Sequence, residues 1–188
     1  MLEPAVKYIQ ELEKLHRNTT WFQDKYKYWV VRPYHSIIDI ERRNTWDSHQ
    51  FVSIKDGEIL GFIFYNIDRE TESVSSVSIM NLSDDIYTFG ADLKRAFMDI
   101  FEKYNFRKLN FCVVVGNPVE KSYDKLVKKY GGRIVGIKKQ HVKLIDNKLY
   151  DLKEYEILRK DYFNTRRKFY DNRFGLYQRV DAQLSRSN

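Results

Sequence analysis

Leu109-Asn110-Phe111-Cys112-Val113-Val114-Val115 is nearly all apolar. A run of this length between two helical patterns reads as a central strand buried on both faces. Upstream, an amphipathic helix is expected from about Phe89 to Tyr104. It carries Leu93, Phe97, Ile100, Phe101 and Tyr104 on one side and Asp92, Arg95, Asp99 and Glu102 around the other. Downstream, Gly116-Asn117-Pro118 ends the strand and opens a second helix through Leu126 and Val127 to Tyr130, which Gly131-Gly132 stops. Cys112 lies inside the apolar run with nothing beside it to create a thiolate, so it reads as a small buried hydrophobe.

Further out, Phe51 to Ile54 and Ile59 to Ile67 flank Asp56-Gly57, which supplies the positive-φ residues of a tight hairpin turn. Val74, Val77 and Ile79 mark a third strand of this group, ending near Asn81-Leu82. Two long strands, about 133–144 and 149–158, follow the second helix and meet at Asp146-Asn147. Before the hairpin come a helix over Glu3 to Arg17 with Val6, Ile9, Leu12 and Leu15 as its stripe, a short strand at Tyr28 to Arg32, and a short helix around Ile37 to Arg43. The whole predicts an α/β (α+β) layer with a mixed, mainly antiparallel central sheet. The β-α-β unit joining the Val74 and Leu109 strands would make the sheet parallel at its centre.

Composition narrows the class. In 188 residues, 33 Lys and Arg against 26 Asp and Glu leave a formal charge of +7. No apolar run reaches the roughly 18 residues of a membrane span, and no charged-then-apolar leader is read, so no membrane and a cytoplasmic location are expected. One cysteine excludes a disulfide framework. His16, His35, His49 and His141 form no metal-ligand pair, so no metal is expected. No P-loop, Rossmann or GxSxG fingerprint occurs.

Three pieces, in order, resemble the GNAT superfamily of N-acyltransferases. Asp56-Gly57-Glu58-Ile59-Leu60-Gly61-Phe62 looks like its second hairpin. Val113 to Gly136 (VVVGNPVEKSYDKLVKKYGGRIVG) is similar to its later motif, where a strand ends in Asn and a helix carries a Tyr. Asp146 to Arg159 resembles the terminal hairpin of the ribosomal-protein N-acetyltransferase branch. The likeness spans about residues 25–160. It implies two central parallel strands splayed into a V, with the pantetheine arm of acetyl-CoA along Met80-Asn81-Leu82. The pyrophosphate would lie at Tyr87, Thr88, Phe89, Gly90 and Ala91, where a helix N-terminus and a glycine favour a phosphate. Asn117 would contact the pantetheine arm, backbone N–H near Leu82 would polarise the carbonyl, and Tyr123 would protonate the leaving thiolate.

The phosphate loop departs from the family's pattern. Asp84-Asp85 stand where Arg or Gln is usual, and one glycine serves where two are common. These acids read either as a helix cap or as the base that takes the ammonium proton. Ser83, Glu72 and His141 are further candidates for that base. Asn117 reads equally as a cap before Pro118, and Tyr123 as a half-buried core tyrosine.

The expected organisation is a domain over 1–160 and a basic, aromatic-rich helical extension over 161–188. Residues 160–188 hold seven Lys and Arg against three Asp. Two functions stay open: acetyl transfer from acetyl-CoA to a primary amine (protein N-terminus, lysine or small amine), or a catalytically degenerate module binding nucleic acid or a protein through that extension. Nucleic-acid contact there is the less favoured reading, because the aromatics recur at helical spacing and suit docking on the domain or on a second copy as a homodimer.

Overall fold

A computed structural model describes residues 1–18, 26 and 46–167. The strand expected at 28–32, the helix expected at 37–43 and most of the extension lie outside the described residues. The elements are β1 (Leu2–Pro4), a 3₁₀ turn (Ala5–Tyr8), α1 (Ile9–Asn18), β2 (Ser48–Lys55), β3 (Glu58–Asp68) and β4 (Ser73–Asn81). They continue with α2 (Ile86–Glu102), β5 (Lys108–Val114), α3 (Glu120–Lys129), β6 (Arg133–Lys143) and β7 (Leu149–Leu158), and α4 covers 159–167. The strands form one seven-stranded sheet in the order β1-β2-β3-β4-β5-β7-β6. Every pairing is antiparallel except β4 with β5. This is the mixed, mainly antiparallel sheet expected, with Val74 beside Leu109 at its parallel centre.

The hairpin forms as its turn residues require: Asp56 and Gly57 both take positive φ, at 52° and 84°. The first helix differs from expectation. Leu2–Pro4 is extended and pairs with β2, and the α-helix begins only at Ile9. Pro4, with no N–H to donate, is compatible with this edge position. Apolar residues every third position also drift around a helix by about 60° per step. Accordingly Leu12 is fully buried, while Val6 and Leu15 are more than a third exposed.

α2 and α3 share one face of the sheet, where Phe97, Ile100, Phe101, Phe111, Val127, Tyr155 and Tyr162 form the largest core cluster. The 3₁₀ turn and α1 cover the other face through Ala5, Leu12, Val52 and Phe62. α4 docks by Tyr162, which is 2% exposed, stacks on Phe101 with centroids 4.8 Å apart, and donates its hydroxyl to Glu102.

Candidate active site

The site is organised by the divergence of β4 from β5. The two strands pair only at Ser73–Lys108 and Val74–Leu109 and then separate, although β4 runs on to Asn81 and β5 to Val114. A bulge explains the departure. Between Phe64 and Asn66 of β3, β4 spends three steps, Ser78 to Ser75, against two. The extra residue is Ser76, held at φ 51°. An inserted residue bends its strand and sharpens its twist, which turns the rest of β4 away from β5. The burial pattern records the result. β4 lies mid-sheet, yet Val74 is its only buried residue, whereas four of the seven in β5 are buried.

Register decides which backbone groups face the gap. Leu82 N–H donates to Leu60 O at 2.9 Å. By the alternation of an antiparallel ladder, Met80 and Ser78 also point their groups at β3, and Ile79 and Asn81 point theirs toward the gap. On the facing side, Val115 N–H donates to Asp151 O at 3.0 Å, so β5 turns the groups of Cys112 and the Val114 N–H toward the gap, while the Val114 carbonyl accepts from Asn117 N–H at 3.0 Å. Asn81 thus turns its backbone groups to the gap, as does Ile79, which the sequence reading did not single out, while the Leu82 amide is bound within the sheet.

At the open end, α2 begins three residues earlier than its periodicity suggests, because Asp85 caps it. The Asp85 carboxylate accepts from Thr88 N–H at 3.0 Å and Thr88 Oγ1 at 2.8 Å, and from Lys55 Nζ at 2.7 Å. These donors, Lys55 first, hold its pKa down to about 2. Phe89 N–H donates to the Asp85 carbonyl and Ile86 N–H to that of Asp84, leaving Tyr87 N–H without an acceptor among the described residues. Phe89 is 5% exposed, and its ring lies over Gly61, where a Cβ would come within 2.6 Å of it and 2.7 Å of Met80 O. Tyr87, Gly90 and Ala91 are exposed, and a Cβ on Gly90 would meet nothing within 4 Å. Asp84 is exposed beside them.

Across the gap, Asn117 Oδ1 accepts from Val119 N–H at 3.1 Å in a turn ahead of α3, whose N-cap position is Val119 and not the expected Asn117; its amide NH₂ has no acceptor among the described residues. Tyr123, on the inner side of α3, meets Phe111 edge-on at 5.4 Å and Tyr155 at 6.4 Å. Its hydroxyl has no partner among the described residues, and burial pushes its pKa up to about 12. Cys112, in the cluster on the other face of β5, rises to about 11 also through burial. Of the other base candidates, Ser83 stands beside Asp84, its Oγ buried and without a partner among the described residues, whereas Glu72 lies in the β3–β4 turn at the far end of the sheet and His141 is exposed on edge strand β6.

No protein-family model matches the sequence, and no curated protein sequence does. Solved structures do match in fold. A spermidine N-acetyltransferase SpeG chimera from Vibrio cholerae and hSSAT aligns at TM-score 0.61 and 19% identity, over 87% of this chain and 98% of that one. The Vibrio cholerae spermidine/spermine N-acetyltransferase SpeG in complex with manganese ions aligns at 0.58 and 16%, over 87% and 95%. A structure described as a probable acetyltransferase aligns at 0.52 and 16%, over 62% of this chain and just under two thirds, 65%, of that one. The chain therefore has the fold of the GNAT acetyltransferases, with the splayed strand pair expected of it. Among the described residues, no helix is long and apolar enough to cross a membrane.

Proposed function

We propose that this chain is an N-acyltransferase that moves an acetyl group from acetyl-CoA to a primary amine, in the cytoplasm. The observation that carries the reading is the gap between β4 and β5, edged by the outward backbone of Ile79 and Asn81 and bordered by α3, which bears a protonated tyrosine with no hydroxyl partner among the described residues.

The residues present suit the donor. An amide-bearing arm is satisfied by the backbone groups that β4 turns to the gap, and Asn117 NH₂ adds a donor opposite. At the phosphate end, Tyr87 N–H and the bare backbone of Gly90 face solvent at a helix N-terminus. The family's missing cation has a local substitute: Lys55 pairs with Asp85, so that carboxylate does not stand uncompensated beside a pyrophosphate. Acetyl-CoA supplies an activated thioester, and the chain supplies alignment and proton management. Outward N–H groups of Ile79 and Asn81 stabilise charge gathering on the carbonyl oxygen. Tyr123 Oη, protonated across the neutral range, donates to the departing sulfur. Asp84, exposed just past β4 and paired with no cation among the described residues, is the carboxylate placed to take a proton from the amine, whereas Asp85 is occupied by its cap and Lys55.

Calorimetry with acetyl-CoA, followed by thiol release with spermidine, a lysine peptide and a peptide with a free N-terminus, tests the reading. Heat and turnover with one amine class support it. No heat and no thermal shift at millimolar acetyl-CoA would sink it in favour of a non-catalytic binding module, a reading that draws on the Thr88 and Phe89 amides being already spent on Asp85.

A further inference from the structure

A partly buried cluster of charge lies between α3 and β7. The Lys153 side chain on β7 is only 11% exposed, and its ammonium is held by both carboxylates of α3. It pairs directly with Glu120 and lies 3.2 Å from each oxygen of Asp124. Glu120 Oε2 also accepts from Gly116 N–H at 2.8 Å, in the turn that carries Asn117. Asp124 Oδ1 accepts from Tyr155 Oη at 2.7 Å, and the Tyr155 ring stacks on Phe111 at 5.0 Å. Pairing lowers the pKa of Glu120, chiefly through Lys153, and of Asp124, chiefly through Tyr155. It raises that of Lys153, chiefly through Glu120, so the cluster stays ionised at neutral pH.

The two carboxylates are one helical turn apart and bracket Tyr123. Both acids of the helix are drawn inward, while Lys121, Lys125, Lys128 and Lys129 are left to solvent. Beside the apolar anchors Tyr123, Leu126 and Val127, a single ammonium ties both acids of α3 to β7. A tyrosine hydroxyl stands about 9 Å from its helix axis, so a roll of roughly 10° about that axis carries it about 1.5 Å. Displacements near 1 Å at a reacting group cost on the order of 100-fold in rate.

We infer that Lys153 is a positioning residue: by clamping Glu120 and Asp124 it fixes the roll of α3, and with it the place of Tyr123 Oη and the Asn117 turn beside the gap. The catalytic consequence rests on the acyltransferase reading; the placement does not.

The test uses the full chain with tyrosine rings ¹³C-labelled at the ε positions, and Tyr123→Phe identifies the Tyr123 signal. Lys153→Met is expected to shift that signal and Lys153→Arg to restore it. In steady-state acetyl transfer, Lys153→Met lowers kcat about 10- to 100-fold, leaves KM for acetyl-CoA within about twofold, and is largely rescued by arginine. Should Lys153→Met fail to fold, Glu120→Gln carries both measurements, because it keeps an acceptor for Gly116 and removes the charge. A Tyr123 signal unmoved in these variants, or a raised KM with kcat intact, overturns the inference. A signal that moves as expected, in a protein without acetyl transfer, supports the placement and defeats the functional reading instead.

Discussion

His49 offers a measurement of how the far end of the sheet is held. Its Nδ1 lies 2.9 Å from Tyr65 Oη, its cross-strand partner, and its ring packs on Tyr104 at 4.5 Å with Phe51 and Phe106 close by. Burial first, then the charges of Arg69 and Lys103, lower its pKa from 6.5 to about 4. The unfolded chain thus binds a proton that the folded one refuses. Stability is full above about pH 6.5 and falls as pH drops toward 4. That pKa difference corresponds to about 3 kcal/mol; because the ring keeps partial access to solvent, roughly half survives screening, about 1.5 kcal/mol. Urea denaturation of wild type and His49→Gln at pH 7.0 and 4.5 isolates it, since the carboxylates that titrate in this window are common to both. The wild type should lose about 1–1.5 kcal/mol more than the variant between the two pH values. Parallel losses would refute the reasoning and leave His49 as packing alone.

Four further outcomes follow from the geometry. Gly61→Ala drives a methyl into the Phe89 ring and Met80 O, and should cost about 1–3 kcal/mol in thermal melts while weakening acetyl-CoA binding. Gly90→Ala meets open space, so stability holds or rises by up to about 1 kcal/mol while acetyl-CoA affinity, read by calorimetry, falls. Ser76→Gly relieves a left-handed serine and should stabilise by up to about 1 kcal/mol in urea denaturation. Tyr123→Phe should lower kcat about 100-fold with little change in melting temperature.

What the sequence revealed follows how local its causes are. The Asp56-Gly57 hairpin, the buried run at Leu109, the Asn117-Pro118 turn and the Gly131 stop are each written in a few adjacent residues, and each formed. Features set by distant partners were not legible. Leu2–Pro4 became a strand because β2 offered an edge, which no property of those three residues announces. The parity that turns Ile79 and Asn81 to the gap, and Leu82 away from it, depends on register with β3. The Ser76 bulge shifts that register by one residue within an unremarkable serine-rich stretch. The ties of Lys153 to Glu120 and Asp124 span about 30 positions and needed the fold before they could be seen. Of the two readings of the acids at 84–85, the cap is the one Asp85 takes, and its Lys55 partner, 30 positions away, was not legible.

The bulge at Ser76 has one more consequence. By parting β4 from β5 it gives the sheet a pair of internal edges, each with a row of backbone donors and acceptors, sheltered within the fold instead of at its rim. Edges at a sheet's margin invite any passing strand, and proteins blunt them with charge or proline. Here the two edges part after two paired positions, so a ligand bonding to both would be slender, extended and rich in amides. The gap thereby selects by backbone pattern before any side chain is consulted.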